Sequence, residues 1–161
     1  MDPFAVDLHA MLVALTHLAL LGIGVWLIVI DIGSHRLPDR IVLPTLAGAI
    51  ALVLVEAAVT GDGGPSAGAL WGMLLLGGFY AILRLLSRGG LGGGDVKLAA
   101  VIGLILGWHG GQALIVGAAA AFVLGAVHAL ALIVLRRADR RSHIAFGPWM
   151  ILGGVLGIAA A

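Results

Sequence analysis

The chain contains no cysteine. That absence excludes disulfides, thiolate metal sites and a cysteine nucleophile together. Charge is scarce as well: 11% of the 161 residues are charged, against 61% hydrophobic. A water-soluble domain of this size needs far more polar surface. With a mean hydropathy of +1.17, the composition is that of an integral membrane protein. Serine catalysis is poorly provided for, because Ser34, Ser66, Ser87 and Ser142 all stand outside a Gly-x-Ser-x-Gly elbow. The histidines lack metal-ligand spacing: His35, His109, His128 and His143 are scattered, and His9 and His17 lie too far apart on one span to share a metal. The opening stretch carries Asp2 and Asp7 where a cleavable signal peptide would carry Lys or Arg.

What the sequence does contain is apolar runs. Crossing a hydrocarbon core of ~30 Å takes ~20 apolar residues in a helix. Six stretches approach that length: Leu8–Ile30, Ile41–Thr60, Ser66–Leu86, Val96–Trp108, Gln112–Leu135 and Ile144–Ala161. The expected fold is an all-α membrane protein, a bundle of about six transmembrane helices forming a single domain over residues 1–161. The connectors separate by charge. Arg36 and Arg40 fall in the first, Arg84, Arg88 and Lys97 in or beside the third, and Arg136, Arg137, Arg140 and Arg141 in the fifth. The second and fourth hold no Lys or Arg. The positive-inside rule makes the basic side cytoplasmic and places both termini outside. The Arg136–Arg141 cluster has no interleaved aromatics, so it reads as a topology signal and not a nucleic-acid site. Gly68/Gly72, Gly103/Gly107 and Gly153/Gly157 repeat the spacing that lets helix backbones approach closely in lipid.

Two carboxylates stand out against this background. Asp31 ends the first apolar run, and Asp95 follows Gly92-Gly93-Gly94 at the start of the fourth. Ionisable groups at membrane depth are costly enough to suggest function. Each also has an ordinary reading, Asp31 as an interfacial charge and Asp95 as a helix N-cap. Their common membrane face joins them into a candidate pair. Two close carboxylates tend to share one proton, so one can activate water while its protonated partner donates to a carbonyl oxygen or a leaving amine. That chemistry calls for no metal and no cofactor. The glycines let a substrate backbone come close and permit unusual φ/ψ. Lys97, two positions on, points away from Asp95 on a helix and is suited to lipid phosphates or substrate. Pro38 suits a rigid turn after the first span. The competing function is a small proton- or cation-coupled transporter that uses the same aspartates. Acids at span ends and the absence of a visible repeat weigh against it.

Three blocks give the chain a family resemblance: Asp31-Ile-Gly-Ser-His-Arg-Leu-Pro38-Asp39, Gly92-Gly-Gly94-Asp95-Val-Lys97-Leu98, and Phe146-Gly147-Pro148. Together they resemble the prepilin peptidases, or type IV leader peptidases, of the intramembrane Gly-x-Gly-Asp aspartyl protease class. The resemblance implies that Asp31 and Asp95 are catalytic, with Gly92 and Gly94 as the flexible backbone beside the second. It implies endoproteolysis of the leader of prepilins or pilin-like proteins of type IV pilus and secretion systems, at the cytoplasmic face of the cell membrane. The partners it implies are the prepilin substrate and membrane lipids, with no nucleic acid. Ala145 departs from the family's usual Pro in the last block. Many members also carry an amino-terminal Cys-x-x-Cys loop linked to N-methylation. The cysteine-free chain resembles the short form lacking that region, so methyl transfer is not expected of it.

Overall fold

Six helices, and no strand, occur among the described residues of the computed structural model, which are 3–87, 91–135 and 145–161. They are α1 (Pro3–Ser34), α2 (Asp39–Thr60), α3 (Gly64–Leu86), α4 (Gly93–His109), α5 (Gly111–Val134) and α6 (Gly147–Ala159). Four are long and apolar enough to cross a membrane: α2, α3, α5 and the Ala10–Ser34 portion of α1. The expected start of the sixth span at Ile144 lies outside the described residues, as do Arg88 and the Arg136–Arg141 cluster.

Helix α4 is shorter, at 17 residues. At 1.5 Å per residue it measures about 26 Å, less than the ~30 Å of hydrocarbon. Its position accounts for this. It packs against α2, α3, α5 and α6, and Leu98, Ala99, Val101, Ile102, Leu104 and Leu106 along it are buried. A short helix with a polar first turn is tolerated where protein, and not lipid, surrounds it.

The glycine spacing seen in the sequence is used for close contact between backbones. A Cβ added at Gly72 would fall on the Gly103 carbonyl oxygen, and one added at Gly103 on that of Gly72. Gly68 and Gly107 oppose each other in the same way. Gly153 and Gly157 of α6 lie against Ala113, Gly117 and Ala121 of α5. In lipid, where apolar burial drives helices together only weakly, such contact is a main source of association.

Tight turns then order the bundle. Gly61 closes α2 at φ 71°, and Gly110 joins α4 to α5 at φ 110°, both in the region where a Cβ is strained. Among the described residues, His35 is the non-glycine residue in that region, at φ 51°. Its N–H donates to the Asp31 carbonyl at 2.8 Å, ending α1. Pro38 follows in extended conformation at φ −73° and leads directly into α2. By this alternation, one end of the bundle gathers the C-termini of α1 and α3 with the N-termini of α2, α4 and α6.

Candidate functional site

That end is where the sequence-selected residues meet. Helix α1 does not stop at Ile30 as the apolar run suggests. It continues to Ser34, so Asp31 lies inside a helix, with 3% of its surface exposed. The reading of Asp31 as an interfacial charge is therefore corrected. The reason is a partner 116 residues away: the Gly147 N–H at the start of α6 donates to Asp31 Oδ2 at 3.0 Å. A Cβ at Gly147 would collide with that carboxylate. Glycine here allows a backbone N–H, one of the unsatisfied donors of a helix start, to reach the acid directly. A ring cluster supports this helix start. Phe146 lies 5.6 Å from Phe122 and 6.1 Å from Tyr80, centroid to centroid, and its ring fills the space left by Gly125 of α5.

Asp95 is also displaced from its ordinary reading. It is not the N-cap of α4 but stands in the first turn, with Gly92 at the cap position. Its Oδ2 accepts the Gly92 N–H at 3.1 Å, which folds the carboxylate back over the glycine segment. Asp31, Arg84 and Tyr80 all lie within electrostatic reach of it. Asp31, near the C-terminus of α1, and Asp95, in the first turn of α4, thus lie at the same end of the bundle.

The glycines serve the chain itself. The space beside Gly94 is filled by Leu37, whose Cβ would lie 2.6 Å from an added Cβ, and that beside Gly92 by the Asp95 carboxylate. Gly94 therefore allows the Leu37-Pro38 turn to press on the start of α4 and fastens the first block to the second. A charged contact repeats the connection. Lys97 Nζ lies 2.6 Å from Asp39 Oδ1, both side chains partly exposed. Lys97 does point away from Asp95, but towards α2, where the first block supplies its partner.

Sequence reasoning missed four contributors. Gly147 was part of a recognised block without a role assigned to it. Asp39 stood in the first block and had no assigned partner. Arg84, whose Nη1 donates to the Leu91 carbonyl at 3.1 Å, read only as a topology charge. Tyr80 is 2% exposed and is the single tyrosine of the chain. An isolated phenol in an apolar span was the signal available for it. Among the described residues, no group of three or more His, Cys, Asp or Glu side chains converges on a metal position.

Comparison with known proteins bears out the family resemblance. Residues 18–135 match the model of the type IV leader peptidase family. A prepilin leader peptidase/N-methyltransferase of Aeromonas salmonicida (strain A449) is 36% identical over 141 residues, which cover 87% of this chain and 47% of that protein. The protein of the same description from Dickeya chrysanthemi is 36% identical over 138 residues, 85% of this chain and 47% of its own. The one from Bacillus subtilis (strain 168) is 33% identical over 135 residues, covering 80% and 48%. The chain spans about half the length of these curated relatives. No solved structure matches it significantly.

Proposed function

The chain belongs to the type IV leader peptidase family, and from that premise we propose that it is a membrane aspartyl endopeptidase cleaving the leader of prepilins or pilin-like proteins. Asp31 and Asp95 are the proposed catalytic pair. The observation that supports this reading is the contact of Gly94 with Leu37, which sets the end of α1 that carries Asp31 beside the start of α4 that carries Asp95.

In the proposed reaction, one carboxylate takes a proton from water as the water attacks the scissile carbonyl carbon. The other, protonated, donates to the carbonyl oxygen and the proton passes on to the leaving amine. The Gly147 N–H holds the Asp31 side chain in one orientation, and the Gly92 N–H does the same for Asp95. Both donors are backbone groups at helix starts, so neither needs a flexible side chain to stay in place. Methyl transfer is not proposed for this chain.

We assign the aspartate end to the cytoplasmic face of the cell membrane. Arg36, Arg40, Arg84 and Lys97 lie in the connectors and helix ends that meet there, as the positive-inside rule asks of a cytoplasmic surface. The residue assignment is tested by Asp31→Asn and Asp95→Asn in membranes supplied with a prepilin. Each variant is expected to lower cleavage by about 10²–10⁴-fold while the protein accumulates to its normal level. Normal cleavage by either variant overturns the pair. Cleavage restricted to inside-out vesicles checks the orientation separately.

A further inference from the structure

Where the C-terminal end of α4 meets the middle of α1, remote from the aspartates, two imidazoles face each other. His17 Nε2 and His109 Nε2 are 3.2 Å apart. The second nitrogen of each ring is occupied: His17 Nδ1 lies 2.8 Å from the Val13 carbonyl, and His109 Nδ1 lies 2.8 Å from that of Ile105. A carbonyl oxygen only accepts, so each Nδ1 carries the ring hydrogen. In the neutral rings both Nε2 atoms then direct lone pairs at one another. A cation between them resolves the conflict.

Three observations favour a metal ion there. An Nδ1–H held by a backbone carbonyl is the usual support for an imidazole that ligates through Nε2. Two nitrogens bound at 2.0–2.1 Å to a tetrahedral cation stand roughly 3.3–3.4 Å apart, close to the 3.2 Å found here. His109 is also in the last turn of α4, where the helix dipole presents its negative end. Trp108 covers one side of the pair, its ring stacked on His17 with centroids 6.0 Å apart. Glu56 of α2 lines the cavity that His17 and Trp108 also line.

We propose that His17 and His109 together bind one divalent transition-metal cation of the zinc class, clasping α1 to α4. Two protein nitrogens leave the remaining coordination positions to water. The clasp has a mechanical role. Between α1, α4 and α6 lies an apolar cavity of about 360 Å³, lined by Gly24, Leu27, Val101, Ile105 and Ile151 among others. The Asp31–Gly147 hydrogen bond ties α1 down at one end of this gap, and the metal ties it at the other. The pair was invisible to ligand spacing because its members are 92 residues apart.

The test uses the full chain, purified in detergent and stripped with chelator, then titrated with Co²⁺ as a spectroscopic substitute for Zn²⁺. One Co²⁺ per chain is expected, displaced by Zn²⁺ and quenching tryptophan emission. Trp108→Phe should bind equally well and lose most of the quenching, which locates the ion without altering a ligand. His17→Gln and His109→Gln should each weaken binding at least about tenfold and abolish the rise in Tm that Zn²⁺ gives the unaltered chain. His128→Gln, whose ring instead lies 4.7 Å from Trp149, should bind normally. Absence of Co²⁺ uptake by the unaltered chain overturns the proposal and leaves the pair sharing a proton. Undiminished binding in both ligand variants, or full quenching in Trp108→Phe, overturns it too.

Discussion

Helices α4 and α1 carry one aspartate each, yet they are held in opposite ways. Helix α4 is enclosed by four neighbours and meets α3 backbone to backbone at Gly68, Gly72, Gly103 and Gly107. Helix α1 packs mainly along α6, with an apolar cavity of about 360 Å³ between it, α6 and α4. The first contact is made by dispersion across close-packed surfaces and has one solution. The second is made by a few apolar contacts, Leu27 and Ile23 in the same core cluster as Met150 and Ile151, and by polar ties, with open space beside them. One carboxylate is therefore built into the frame of the molecule, and the other rides on an element with room to adjust.

The largest effect should come from breaking the tight side. Gly103→Val places a side chain where the Gly72 backbone already stands. It should cost about 3 kcal/mol or more, seen as loss of monodisperse protein in detergent. Next comes the loose side's polar tie. Gly147→Ala pushes a methyl group into the Asp31 carboxylate and should reduce prepilin cleavage by about 10²-fold, as displacement of a reacting group by about 1 Å can, with Tm little changed. A smaller loss is expected for Leu27→Ala. Leu27 is 2% exposed but borders the cavity, so about 2 kcal/mol is expected from thermal unfolding, the low end for a buried leucine. If it costs as much as Gly103→Val, the contrast between the two helices is wrong. The smallest effect belongs to Lys97→Gln. Its ion pair is partly exposed and should contribute no more than about 1 kcal/mol, fading as salt is raised in the same measurement.

Much of the fold could be read from the chain. The six helices follow from apolar length, and the small-residue spacing marks the close interfaces. Spacing does not name the partner, however. Nothing in Gly68/Gly72 says that it faces Gly103/Gly107, while Gly153/Gly157 turns to α5. The candidate site was legible to the same extent. Asp31 and Asp95 could be picked out because charge is rare here, but their surroundings could not. The donor to Asp31 is a backbone N–H, which has no residue signature. An Asp after an apolar run looks like a helix end until that distant donor is known. The neighbours of Lys97 on its own helix do not reveal its partner, Asp39, which comes from α2.

The turn between α1 and α2 has one more effect. Asp31 is joined to Asp39 by a short stretch of chain, Asp39 is paired with Lys97, and Lys97 stands two residues beyond Asp95 on α4. Gly94 seated on Leu37 closes the same circuit a second time. The two acids are therefore belted together locally, by a strap that passes through neither α3, α5 nor α6. Displacement of α5 by an incoming segment would leave the strap intact, whereas displacement of α6 would pull on Asp31 through the Gly147 N–H.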